Sequence, residues 1–230
     1  MGWAKASRGG VQYMGETMSD LEARIAALEA EVAELRDRES IREGIHRYCQ
    51  AVDRCDLEML KSCYWPDGYD DHGFFAGNAH DFADYVIPCL AQVDSSMHSI
   101  TNTRFKFAGD RCACTSQWHV VHRLAHGEGF TDFLHDGRYL DVWETRAGEW
   151  KLLHRVIAAD LDRWVHTLNI RDSAMQSDNT PLQGRRGAED PGNLWMEIIK
   201  HRPERPAVPD LWTGFHGISE MDRQRSAPTN

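Results

Sequence analysis

The sequence lacks the short motifs that identify several common functional classes. It contains no Walker A loop, no G-x-G-x-x-G dinucleotide fingerprint, no H-E-x-x-H zinc motif and no G-x-S-x-G nucleophile elbow. The paired histidines of the stretch HVVH, His119 and His122, would point to opposite faces of a strand. We therefore expect no metal ion, no nucleotide cofactor and no serine-hydrolase chemistry.

Positive charge and long apolar runs are also scarce. The chain has 26 lysines and arginines against 36 aspartates and glutamates, a net charge of −10. Nucleic acids and anionic membranes attract basic surfaces, so neither is an expected partner. No run of about 18 or more apolar residues predicts a membrane span. Lys5 and Arg8 are not followed by the apolar segment of a secretory signal.

Cysteines are few and scattered. The six cysteines show no repeated zinc-ribbon spacing, and Cys112 and Cys114 would share one face of a single strand. This pattern favours small buried side chains in a reducing compartment over disulfides or metal ligands. We expect a cytoplasmic protein with one large domain and extensions.

The N-terminal region predicts a helical extension. Residues 1–17 have no periodicity and are predicted to be disordered. In residues 18–37, apolar residues recur at the alternating spacing of four and three that marks a heptad seam. These residues are Leu21, Ile25, Leu28, Val32 and Leu35. About two heptads are too few for an isolated coiled coil, so the seam should pack on its own fold or on a sister subunit. We expect a homo-oligomer, either a dimer or a trimer.

A second apolar stripe marks a core helix. It comprises Ile41, Ile45, Tyr48 and Val52, ends near Asp53, and is out of phase with the first stripe. The two stripes predict either one long helix, capped at Ser19 or Asp20, or two abutting helices. Further helices are expected after a cap at Asp56 and over residues 78–92, with a turn at Pro66, Asp67 and Gly68 between them.

The second half of the chain is predicted to be a sheet. From Met97 onward, long alternating segments are separated by short turns, which indicates antiparallel strands. Helices followed by a run of strands give an α+β fold. We assign the domain to residues 38–165 and an irregular C-terminal extension and tail to residues 166–230.

Several polar residues occupy positions that usually hold apolar ones. His98, Ile100 and Asn102 should share one face of a strand, because side chains at i, i+2 and i+4 point the same way. His122 alternates with Trp118 on the next strand. Further candidates are Tyr48 and Asp53 on the core helix, and Arg155 on the last strand. Each alone has an ordinary explanation, such as a hydrogen-bonded structural histidine, a solvated helix end or a core aromatic.

The order of elements and four stretches of sequence resemble the SnoaL-like branch of the nuclear-transport-factor-2-like superfamily. The stretches are IREGIHRYCQAVDRCD, WPDGYDDHG, MHSITNTRFKF and GEWKLLHRV. The resemblance covers about residues 38–165. It implies a cone-shaped, curved antiparallel sheet around a cavity that the N-terminal helices close. The histidine and the amide of the first strand would then face a ligand.

The resemblance also implies roles for single residues. Scytalone dehydratase, bile-acid 7α-dehydratase and hexachlorocyclohexane dehydrochlorinase, which belong to this branch, share an aspartate–histidine pair that Asp53 and His98 match. Tyr48 and Arg155 also match active-site positions in this branch. His122 matches a second histidine, and His72 stands where the dehydratases carry a tyrosine.

These matches give a hypothesis of function. We expect a lyase without cofactors that uses Asp53 and His98 to abstract a proton, with Tyr48 and Arg155 as further catalytic residues. Its substrate would be a hydrophobic aromatic or polycyclic molecule, and the reaction a dehydration or a retro-aldol deformylation. Residues expected to contact this substrate are Asn102, His122, His72 and Trp118. The alternatives are a non-catalytic binding protein and a structural partner like the β subunit of ring-hydroxylating dioxygenases.

Overall fold

The computed structural model describes residues 17–127, 129–167, 184–187 and 190–193. The predictions for residues 1–16 and for most of the C-terminal extension lie outside these residues. The described chain divides into two compact units, residues 1–40 and 41–230. No helix in the described part of the chain is long and apolar enough to cross a membrane.

Helix α1, Met18–Arg54, is continuous over 37 residues, so the two predicted helices are one. Its cap differs from the prediction of Ser19 or Asp20. Thr17 precedes the helix, and its hydroxyl accepts a hydrogen bond from the Asp20 amide at 3.2 Å, while the Asp20 carboxylate accepts from the Thr17 amide at 3.0 Å. This reciprocal pair is a capping box. It satisfies amides that the first turn of a helix leaves without partners.

The two shorter helices begin where a polar side chain can cap them. Asp56 caps α2, Leu57–Ser62, by accepting a hydrogen bond from the Met59 amide at 2.9 Å. Asn78 caps α3, Ala79–Leu90, by accepting one from the His80 amide at 2.8 Å. Both helices agree with the prediction from the sequence.

A curved, unclosed six-stranded sheet forms the rest of the fold. The strands are β1 (Tyr64–Asp71), β2 (Ala76–Asn78), β3 (Ser95–Ala108), β4 (Arg111–His126), β5 (Gly129–Arg146) and β6 (Glu149–Thr167). Their order in the sheet is β2-β1-β6-β5-β4-β3. The α+β class is confirmed. Strands β3 to β6 pair antiparallel, as predicted from Met97 onward, and β1 joins β6 in parallel, so the sheet as a whole is mixed.

The predicted turn at Pro66, Asp67 and Gly68 lies inside β1. The pairing of β1 with β6 shifts register between Tyr64 and Tyr69, and the turn-forming residues fall in this gap. Proline lacks an amide hydrogen for strand pairing, so it is tolerated where the ladder is interrupted. The strand therefore continues past the turn signal.

A bulge divides β3 into two parts. The pairing of β3 with β4 shifts by one residue between Thr101 and Arg104, and Asn102 has a positive φ of 27°. An extra residue in one strand moves all later side chains to the other face. Before the bulge, Ile100 packs against the core, and after it Phe105 and Phe107 do so. One strand thus contributes apolar side chains to the core on both sides of the bulge.

The core of the second unit lies between the C-terminal part of α1, helix α3 and one face of the sheet. Its largest fully buried apolar side chains are Trp118, Trp143, Tyr48, Tyr64 and Phe82. Gly44 of α1 permits a close approach, since a Cβ atom there would lie 2.6 Å from the Trp143 ring. Helix and sheet are therefore in direct contact in this core.

Gly137 gives a test of this close packing. A Cβ atom at position 137 would lie 2.5 Å from the Trp118 ring and closer still to the carbonyl oxygen of Ala158. We expect Gly137→Ala to lower the free energy of unfolding by about 1–3 kcal/mol, because backbone must move to make room. Urea denaturation would measure it. Gly77→Ala is the matched control, since a Cβ there makes ordinary contact with Phe75 at 3.4 Å, and its effect should stay within about 0.5 kcal/mol.

Candidate active site

A cavity with about 110 Å³ of water-accessible space opens between α1, α3 and the inner face of the sheet. Most of its wall is apolar, with Val52, Phe82 and Ile157 among the lining residues. Four histidines also reach it: His72, His98, His122 and His135. An apolar pocket with a few polar groups is typical of a small-molecule site.

Asp53 and His98 form a hydrogen-bonded pair at one side of this cavity. Asp53 lies in the last turn of α1, and its Oδ1 is 2.6 Å from His98 Nδ1. The same carboxylate accepts hydrogen bonds from the Ser96 hydroxyl at 2.7 Å and from the His98 amide at 2.8 Å. Burial opposes ionisation of Asp53, but the hydrogen bonds and charge of His98 outweigh it, so its pKa lies below the ordinary 3.8.

This arrangement fixes the tautomer of His98. The Asp53 carboxylate accepts a hydrogen bond, so Nδ1 carries the proton and Nε2 is left with a lone pair. The imidazole lines the cavity, and it meets the ring of His122 edge-on at a centroid distance of 5.6 Å. His98 therefore lines the cavity with its Nδ1 atom held by Asp53.

His122 lines the cavity beside His98 as a neutral ring. Burial lowers the pKa of His122 to about 4, and the nearby charge of His98 is the second cause of this shift. Its Nδ1 atom is buried and has no hydrogen-bond partner among the described residues. A buried ring atom of this kind can be satisfied by a polar group on a bound molecule.

A second aspartate–histidine pair reaches the cavity from β1. His72 Nδ1 is hydrogen bonded to Asp70, which is fully buried and also accepts a hydrogen bond from the Tyr64 hydroxyl. His72 Nε2 lies 3.3 Å from the hydroxyl of Tyr48, and its ring stacks on Phe82. Burial raises the pKa of Tyr48 above its ordinary value against the opposing charge of Arg155, so this phenol remains protonated.

Sequence reasoning missed Asp70 and Tyr64. Asp70 and His72 are two residues apart, a spacing that puts both side chains on one face of a strand. That signal was present in the stretch DDH. His135 was missed as well; it lines the cavity and pairs with Asp162.

The structure places Arg155 behind the cavity wall instead of in it. Its side chain is fully buried and makes two hydrogen bonds to Asp141, at 2.8 and 2.7 Å. The guanidinium lies 4.2 Å from the ring centre of Tyr48 and 3.8 Å from that of Tyr139, and these two rings line the cavity. Arg155 is therefore not among the residues that line the cavity, and its predicted catalytic role stays a prediction.

Asn102 is also outside the cavity, so the predicted shared face with His98 is wrong. The bulge turns this residue outward, and its exposed amide donates a hydrogen bond to Gln117 at 2.9 Å. Trp118 does line the cavity, with its ring buried and its Nε1 atom without a partner among the described residues. Across those residues, no group of three or more histidine, cysteine, aspartate or glutamate side chains could hold a metal ion.

A short C-terminal segment contacts the end of α1. Arg186 donates hydrogen bonds to the carbonyl oxygens of Asp53, at 2.8 Å, and Val93, at 3.4 Å. Asp190 pairs with Arg54 at 3.0 Å. These contacts satisfy a carbonyl at the helix terminus beside the catalytic candidate Asp53.

Comparison with known proteins agrees with this fold. The family model described as "SnoaL-like domain" matches residues 33–156, more than half of the chain. Three solved structures show similar folds at low sequence identity. A provisionally assigned scytalone dehydratase from Novosphingobium aromaticivorans DSM 12444 superposes with a TM-score of 0.54 and 17% identity, over 60% of this chain and 93% of that one.

The other two structures give the same result. A hexachlorocyclohexane dehydrochlorinase, LinA type 2, has a TM-score of 0.54 and 20% identity over 63% of this chain and 99% of its own. The Kfla4162 protein from Kribbella flavida has a TM-score of 0.53 and 18% identity over 56% and 95%. Identities this low establish a common fold, and the family match goes further: the chain belongs to the SnoaL-like family.

Proposed function

We propose that this protein is a cofactor-independent lyase that removes a proton and a leaving group from a hydrophobic aromatic or polycyclic molecule. The observation that carries the proposal is the Asp53–His98 pair, whose imidazole lines an apolar cavity. A base held by a carboxylate, next to apolar walls that exclude water, suits proton abstraction.

His98 is the base in this mechanism. Its Nε2 atom takes a proton from a carbon that a neighbouring carbonyl or ring activates. The electron pair of the broken carbon–hydrogen bond forms the new double bond. Asp53 stabilises the imidazolium through the hydrogen bond to Nδ1. The same base acting on a hydroxyl proton would begin a retro-aldol cleavage instead.

Tyr48 and His72 are the acid. The carbon–oxygen bond breaks as the leaving oxygen takes the Tyr48 hydroxyl proton, and Tyr48 regains a proton from the protonated form of His72. Asp70 balances the charge of that imidazolium. The products are an alkene and water, while one proton has moved from His72 to His98. Solvent returns it after product release.

The cavity wall limits the substrate class. Apart from the histidines and tyrosines, its lining side chains are apolar, and Trp118, Tyr139 and Phe82 present ring surfaces. Flat apolar molecules pack well against such rings.

Replacement of the base tests the proposal directly. A panel of hydroxylated aryl and polycyclic compounds would be followed by mass spectrometry for loss of water or formaldehyde. We expect His98→Ala to lower kcat roughly 10²–10⁴-fold, the usual contribution of a general base. His119→Ala is the matched control, since His119 also pairs with an aspartate, Asp136, but its side chain is 49% exposed.

The same experiment separates an enzyme from a binding protein. Ligand affinity, measured from tryptophan fluorescence, should change little in His98→Ala if the residue acts in the reaction. Tight binding without turnover of any compound by the unmodified protein would contradict the lyase proposal and favour a binding role.

The acid can be tested through the leaving group. Tyr48→Phe keeps the buried ring over Arg155 but removes the hydroxyl that faces His72. We expect kcat to fall roughly 10²-fold for a poor leaving group such as hydroxide, and much less for a good one such as a phenolate. Equal losses for both leaving groups would rule out proton donation by Tyr48.

The neutral state of His122 predicts a pH dependence of stability. Its pKa is about 4 in the folded protein and 6.5 in the unfolded chain, so only the unfolded state binds the proton between these values. The stability that the neutral His122 ring contributes is fully present above pH 6.5 and is lost as pH falls toward 4. We expect His122→Asn to make the decline in unfolding free energy shallower in this window, by at most about 1.4 kcal/mol per pH unit. Urea titrations at several pH values would measure the slope, and parallel slopes would contradict the prediction.

A further inference from the structure

The N-terminal part of α1 carries an apolar seam with a strict heptad order. Taking Ile25 as position a, the a positions are Met18, Ile25 and Val32, and the d positions are Leu21, Leu28 and Leu35. All six side chains are exposed, with relative exposures from 39% for Leu21 to 72% for Met18. Exposed apolar surface of this extent marks an interaction site.

The residue types on the seam favour two parallel strands. Isoleucine or valine at a with leucine at d is the combination that selects parallel dimers over trimers and tetramers. Here Ile25 and Val32 occupy a, and leucine fills every d position. We propose that residues 18–38 form a parallel two-stranded coiled coil with the same helix of a second copy of this chain.

The charges beside the seam fit this arrangement. In a parallel dimer, each g residue faces the e residue five positions later on the other helix. Arg24 at g would face Glu29 at e, and Glu31 at g would face Arg36 at e. Both pairs are of opposite charge, and two-fold symmetry repeats each of them.

An antiparallel pairing would lose this complementarity. There, e residues face e residues and g residues face g residues. Arg24 would still face Glu31, but Glu22 would face Glu29, placing two carboxylates side by side. The charge pattern therefore selects the parallel orientation.

The rest of α1 helps a short coiled coil to form. The heptad order ends at Leu35, and from Ile41 the same helix continues as a buried part of the core. Starting a helix is the costly step, and packing of residues 41–53 already provides it. Three heptads can then add turns to an existing helix.

Sedimentation equilibrium of the full chain would test the proposal. We expect the unmodified protein to have twice the mass of one chain. Leu28→Asp should raise the dimer dissociation constant at least tenfold, because it buries an unpaired charge at a d position. Ala30→Asp is the control: it adds the same charge two residues away, at the outward f position, and should leave the constant unchanged.

Several results would overturn the proposal. A monomer at all concentrations would mean that another part of the same chain covers the seam. A trimer would exclude the two-stranded arrangement. A dimer that Leu28→Asp leaves intact would place the interface on another face of the protein.

A pair of charge variants tests the orientation. In a parallel dimer, Arg24→Glu alone places two carboxylates opposite each other, and Glu29→Lys alone places two cations opposite each other, so each should weaken association. An equal mixture of the two variants pairs opposite charges on both sides of the seam and should restore association. An antiparallel dimer would instead be strengthened by Glu29→Lys, because the introduced ammonium group would then face Glu22.

Discussion

The carboxylate of Asp53 connects the two halves of the domain. It ends the buried stripe of α1 and accepts hydrogen bonds from the Ser96 hydroxyl and from both the amide and the ring of His98. A negative charge near a helix C-terminus is unfavourable by about 0.3–1 kcal/mol, so these hydrogen bonds offset a local cost. The position of the helix relative to β3, the orientation of His98 and the location of the cavity all follow from this one contact.

Two hydrogen-bonded aspartate–histidine pairs reach the cavity, Asp53 with His98 and Asp70 with His72. Asp53 leaves the outer nitrogen of His98 free, whereas Asp70 holds a histidine whose outer nitrogen meets a phenol. The difference comes from the neighbours, since the Tyr48 ring is held over the buried cation of Arg155. Two pairs of the same composition therefore differ in what the outer ring nitrogen meets.

Local patterns in the sequence predicted the helices and the α+β class, because periodicity and caps depend on nearby residues. The pairing of Asp53 with His98 was implied only by the resemblance to the SnoaL-like family. Long-range pairing was not predictable in this way. The parallel contact of β1 with β6 joins residues far apart in the chain. The burial of Arg155 depends on Asp141, its partner across the neighbouring strand. The outward turn of Asn102 depends on a bulge, whose mark in the sequence is the change of the apolar positions from 100 to 105 and 107.

The bulge in β3 also bears on how this chain can change in length. Two residues, at positions 102 and 103, lie opposite the single β4 residue Ser116, and beyond them Phe105 pairs with Cys114 and Phe107 with Cys112. Removing one of the two would leave these later pairs unchanged, so both rings would stay on the core face. The strand can therefore gain or lose one residue here without altering the rest of the sheet, and differences in length among homologues should be found at this point.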